Sequence, residues 1–178
     1  MAYTTPATFV AGNVLTASQL NTHLRDNIAW IATDSPSCRV YKSSSQAITT
    51  ATVTAITHDS ERFDNAAMHD TGSNTSRITV PSGGGGKYLT GAGVDWAGDT
   101  GGTYRNVALR LNGTTTIASD MRAPTATSGF AQASLATVYS LAAADYTELV
   151  VLHDKGSNLN VSTTANWSPE FWAFWYRT

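Results

Sequence analysis

Three of the four histidines stand immediately before an aspartate: His58-Asp59, His69-Asp70 and His153-Asp154. Imidazole and carboxylate are both metal donors. Adjacent residues on a strand point to opposite faces, however, so no such pair chelates one ion by itself. Only a meeting of several pairs around a symmetry axis would assemble a site, and the simpler expectation is polar turn groups with solvated imidazoles and no metal. Ser60, His58 and Asp64 supply the residue types of a hydrolytic triad. Closeness in sequence is no substitute for an orienting geometry and an oxyanion hole. Glu61, Glu148 and Glu170 each sit beside strand or turn positions and do not suggest a glycosidase pair. Ser82–Gly86 (SGGGG) lacks the following Lys-Ser/Thr and helix of a phosphate-binding loop, because Lys87 opens a strand. The sole cysteine, Cys38, excludes an intrachain disulfide and reads as a small semi-buried residue. The residues predict no enzyme and no cofactor.

The 178 residues suit one domain of ordinary size with a short appendage. A formal charge of −2 without a basic block argues against nucleic-acid binding. No apolar run approaches the length of a membrane span, and Met1–Gly12 has neither the basic start nor the apolar core of a secretory signal. Only 13% of residues are charged, while threonine occurs 27 times, a bias that favours pleated structure over helix.

Two unequal parts emerge. Residues 1–37 form an arm in which VLTASQLNTHLRDNIAWIATD predicts one helix, about residues 16–33. Thr16 and Gln19 make a capping box, and Leu15 and Leu20 occupy the positions of a hydrophobic staple. Leu20, Leu24, Ile28 and Ile31 recur as one apolar stripe. So narrow a helix is marginal alone and must pack on its own domain, on copies of itself or on a partner. His23 and Trp30 fall off the stripe and read as exposed.

Residues 38–178 read as about ten short strands, among them RVYKS, TATVTAIT, KYLTGAGVDW, YRNVALRLN, FAQASLATVYS and EFWAFWYR. Asn112-Gly113 is the strongest hairpin signal. Strands at this spacing predict a two-sheet antiparallel sandwich, for which a jelly roll is the common large solution. The last strand poses a problem of its own. Phe171, Ala173 and Trp175 point one way, and Trp172, Phe174 and Tyr176 the other. One face fills the core. The second needs another cover, which a symmetric oligomer supplies, so Trp172, Phe174 and Tyr176 are the candidate interface.

Several motifs fall in a familiar order: Phe63-Asp64, Ile78-Thr79-Val80-Pro81, Gly86-Lys87-Tyr88-Leu89, Leu109 to Gly113, Leu141 to Leu149, and Ser168-Pro169-Glu170-Phe171-Trp172-Ala173-Phe174. Together they resemble the C1q-like branch of the tumour-necrosis-factor jelly rolls. Two departures are the extra glycines before Tyr88 and Ala173 in place of the family's usual glycine. The resemblance implies an all-β, C1q/TNF-like antiparallel jelly-roll sandwich behind a short N-terminal helical arm, assembled as a homotrimer. The arm, from Thr5-Pro6 through Phe9-Val10-Ala11-Gly12-Asn13 to Asn27, resembles the opening of tailed-bacteriophage virion proteins. That second resemblance implies a virion surface protein made in the host cytoplasm.

Between roles, a capsid decoration protein is favoured, since no repetitive or coiled shaft separates arm from head. The alternative is a tail-fibre or receptor-binding tip. Leu20, Leu24, Ile28 and Ile31 would then attach the arm to a major capsid protein or to a tail or baseplate protein. A host-surface glycan is a further candidate partner. The loops Asp99–Tyr104, Asp120–Pro124 and Asp154–Asn158 would meet it, with Tyr104 or Trp96 stacking on sugar.

Overall fold

The computed structural model describes residues 3–127, 131–166 and 169–177; Phe130 and Ser168, which belong to the motifs above, lie outside it. The strands are β1 (Ser37–Tyr41), β2 (Gln46–Ile48), β3 (Thr54–Ala55), β4 (Ser60–Asp64), β5 (Arg77–Thr79) and β6 (Gly86–Trp96). They continue with β7 (Arg105–Leu111), β8 (Thr115–Arg122), β9 (Gln132–Leu141), β10 (Tyr146–His153), β11 (Leu159–Ser162) and β12 (Glu170–Arg177). One sheet runs β2-β11-β6-β12-β1-β4, with β9 on the other side of β6. The second runs β3-β10-β7-β8, with β5 also on β10. Among the described residues the strand pairings are antiparallel, as in β12 on β6, where Trp172 lies opposite Gly91 and Phe174 opposite Leu89.

Alternation along these strands builds the core. Tyr88, Trp96, Val107, Leu109, Leu149, Val151, Val161 and Phe171 point between the sheets and are buried. Asn112 and Gly113 both take positive φ (49° and 74°), and the Thr114 N–H closes the turn on Leu111 O at 3.1 Å. The dipeptide joins β7 to β8 as its sequence predicts.

TATVTAIT departs from its predicted strand. Regular strand pairing is confined to Thr54 and Ala55, while the Ala51 and Ile56 N–H groups reach His153 O and Leu149 O of β10 singly. The Gln46 side chain takes over part of the ladder, donating to Ala55 O at 3.0 Å and accepting from the Thr57 N–H at 3.1 Å. Thr52 and Thr54 hydroxyls turn onto the carbonyls two residues earlier, the local competition that threonine offers the backbone.

In the arm, residues 17–34 form a helical run in which α turns, α1 (Ala17–Leu20) and α2 (Asp26–Ala29), alternate with π-helical turns at Asn21–Arg25 and Trp30–Asp34. The Thr16–Gln19 capping box is formed in both directions. The segment before it folds back along the helix. Asn27 clamps it with both ends of its amide, Oδ1 accepting the Thr4 N–H at 3.0 Å and Nδ2 donating to Thr4 O at 2.7 Å. Trp30 is buried, contrary to its predicted exposure. Its ring meets Tyr3 at 5.7 Å and meets Trp175 edge-on at 4.3 Å. That aromatic joint, with the Trp175 N–H on Pro36 O at 2.8 Å, docks the arm on the head. Among the described residues no helix is long and apolar enough to cross a membrane.

Candidate functional site: the aromatic sheet face and the arm

β12 settles which aromatic residues look inward. Phe171 and Ala173 lie in the core, Trp172 is half-buried, and Phe174 and Tyr176 are 37% and 63% exposed on the outer face of the larger sheet. Trp175 keeps the inward side of the alternation, packing against the edge of the core with its ring against Trp30 of the arm. Neighbouring strands widen the outer patch. Phe63 of β4 meets Phe174 at 5.8 Å between ring centroids, Trp172 meets Phe174 at 5.5 Å, and Leu89 and Val138 are exposed alongside.

Gly91 is the floor under this patch. A Cβ there would stand 2.7 Å from Leu135 O and 2.8 Å from Trp172 Cη2, so only a glycine lets the indole lie flat on β6. A glycine inside an otherwise regular strand is the sequence signal for such a close approach. Beside the indole lies a groove of about 370 Å³ lined by Arg39, Gly93, Leu135 and Glu170. Glu170 is buried and receives Arg39 Nε at 2.8 Å and Arg62 at 2.9 Å, so its charge is compensated within the subunit.

The predicted attachment residues are all solvent-facing: Leu20 39%, Leu24 47%, Ile28 65% and Ile31 59% exposed. The opposite side of the helix is covered by the arm's own leading segment, with Thr4 on Asn27 and Phe9 against His23, and by the head at Trp30, which leaves the stripe open. Val14, at 90% exposure, lies just ahead of the helix and extends the apolar surface.

The histidines correct the sequence reading. His58 and His153 are fully buried and His69 nearly so; none is a solvated turn group. His153 accepts the Lys155 N–H at Nδ1, and its Nε2 lies 3.0 Å from Ile48 O. His69 lies between Glu61 Oε1 and Thr75 O, each at 3.2 Å. His58 has no partner at either ring nitrogen and packs against Phe171 and His69. Burial, reinforced by His69 and then Lys42, lowers its pKa to about 3. Ser60 donates to Asp59, and Asp64 accepts the backbone N–H groups of Ala66 and His69, so the triad residues are not assembled. Among the described residues no three His, Cys, Asp or Glu side chains form a group able to hold a metal. Cys38 is buried, which raises its pKa far above the ordinary thiol range.

At the loop end, Asp154 ties down Thr103 and Tyr104 through their backbone N–H groups, and the Thr103 hydroxyl holds its pKa down at about 2. Arg105 is buried and donates to the carbonyls of Asp99, Gly101 and Tyr104. Trp96, expected from the sequence to stack on a sugar, is instead wholly buried in the core and cannot do so.

Solved structures share this arrangement of strands. Murine APRIL at pH 8.5 superposes with a TM-score of 0.56 at 13% identity, over 78% of this chain and 98% of that one. The globular domain of zebrafish complement 1qA gives 0.52 at 14% identity, over 80% and 99%. Eiger TNF from S. frugiperda gives 0.52 at 14%, over 79% and 91%. The fold is an all-β jelly roll of the TNF/C1q kind. No protein-family model and no curated protein sequence matches the chain. At these identities the likeness concerns the fold, and the chain's role rests on its own surfaces.

Proposed function

We propose that the protein is a non-catalytic structural component of a tailed-bacteriophage virion. In this reading it is a homotrimeric capsid decoration protein whose jelly-roll head is displayed outward and whose arm anchors it. The observation that carries the proposal is the arm. It docks on the head at its base, through Trp30 on Trp175 and the hydrogen bonds of Asn65 and Trp175 to its last carbonyls, and keeps a complete apolar stripe turned to solvent. The likeness of that arm's sequence to phage virion proteins supplies the virion context, and the TNF/C1q-type fold and the outer aromatic face support trimerisation. Burying one aliphatic side chain contributes roughly 1.5–3 kcal/mol. Three arms on one trimer multiply that weak contact through effective concentration. The partner would be the major capsid protein. A tail or baseplate protein is the partner if the head is a receptor-binding tip.

The test is co-sedimentation of the full-length protein with particles lacking the native copy. Changing Leu24 and Ile28 together to Asp should leave circular dichroism and oligomeric mass intact while abolishing particle binding. Full occupancy by that variant would overturn the anchoring role. Loss of its fold would assign the stripe to the protein's own core.

A further inference from the structure

The outer face of the smaller sheet carries a groove of about 360 Å³ that neither the arm nor the aromatic face uses. Its floor is unusual for an outward face. Ala108 of β7 and Val150 of β10 lie opposite each other and are only 5% and 4% exposed. Taller neighbours rise around them: Val53 and Leu152 on one side, Asn106 and Arg110 along β7, and Thr116 and Ser119 from β8.

The walls offer spaced hydrogen-bonding groups. Asn106 Nδ2 donates to Ser119 Oγ at 2.9 Å, which leaves Asn106 Oδ1 as an acceptor and the Ser119 hydroxyl as a donor. Arg110 is fixed by Glu148 at 3.1 Å, and Glu148 in turn accepts the Ser76 hydroxyl at 3.1 Å. The lining thus combines an apolar floor, hydroxyl and amide groups, and one guanidinium whose charge is already matched.

From this combination we infer that the groove is a binding site for a neutral pyranoside, whose apolar ring face would lie on Ala108 and Val150 while its hydroxyls meet Asn106, Ser119, Thr116 and Arg110. Small-ligand sites characteristically join a mostly apolar cavity of this size to a few placed polar groups. Phosphate or a carboxylate would find no unmatched cation among the lining side chains. The site lies on the sheet opposite the aromatic face, so trimerisation through that face leaves it open. The inference goes beyond the anchoring role and does not depend on what the arm binds.

Methyl-labelled full-length protein can be titrated by NMR with the methyl glycosides of glucose, galactose, mannose and N-acetylglucosamine, and separately with N-acetylneuraminic acid and inorganic phosphate. At least one neutral glycoside should shift the methyl signals of Ala108, Val150 and Leu152 saturably. The Ala108→Leu variant, which fills the floor, and Asn106→Ala, which removes a wall group, should each lose that response while retaining the native mass and the remaining spectrum. No shift with any neutral glycoside at tens of millimolar would overturn the inference. So would a response to the acid or phosphate alone, or shifts confined to the 99–104 loop. Particle binding by the same variants should be unaffected, which separates failure here from failure of the anchoring role.

Discussion

His58 makes the stability of the head depend on pH in a defined direction. The unfolded chain binds a proton at this imidazole below about pH 6.5, whereas the folded chain resists protonation down to about 3. Between those values the unfolded state holds more protons, so stability rises with pH and falls on acidification. The slope is about 1.4 kcal/mol per pH unit. At pH 5 the loss reaches about 2 kcal/mol, and over the whole window it approaches about 5 kcal/mol. His58→Leu removes the titrating ring at a position where neither nitrogen has a partner, so a polar group is deleted without orphaning another. Urea midpoints at fixed protein concentration, for parent and variant at pH 7.5 and 5.0, isolate the difference from carboxylates common to both. The variant should gain about 2 kcal/mol on the parent across that interval. Parallel stability curves, or a His58 NMR titration centred near 6.5 in the folded protein, would refute the reasoning.

Two further outcomes concern the aromatic face. Light scattering should give a mass of three chains for the parent, and Trp172, Phe174 and Tyr176 changed together to Ser should give a folded single chain. A monomeric parent, or unfolding of the triple variant, would remove that face from the interface. Gly91→Ala should cost about 1–3 kcal/mol in urea and shift the tryptophan emission, because the new methyl meets Leu135 O and the Trp172 ring; an unchanged midpoint would show that the indole moves aside freely.

Local signals carried much of this architecture. Asn112-Gly113 specifies its hairpin because both residues tolerate positive φ, and Thr16 with Gln19 specifies the helix start because their side chains meet the free amides there. β4 was invisible because Ser60–Asp64 is mostly polar, and its pairing with β1 is fixed by contacts far along the chain. TATVTAIT has ideal strand composition, yet Gln46 and the threonine hydroxyls satisfy part of its backbone instead. The burial of His58 and His153 was hidden by the aspartate that follows each, which signals a turn while the preceding ring turns inward. The outer patch was half legible. Alternation separates Trp172, Phe174 and Tyr176 from Phe171, but Phe63, Leu89 and Val138 join them only once the sheet order is known.

The clamp of Asn27 on Thr4 has a geometrical consequence for fusions and display. Because Tyr3 packs against Trp30 and Trp30 meets Trp175 edge-on, the arm is a hairpin whose two ends both come home to the head. Its distal point is the bend around Gly12, where φ is 89° and Val10 and Val14 stand exposed. A peptide joined ahead of Tyr3 would therefore leave the molecule beside the jelly roll, and cargo intended for the far tip belongs in the bend.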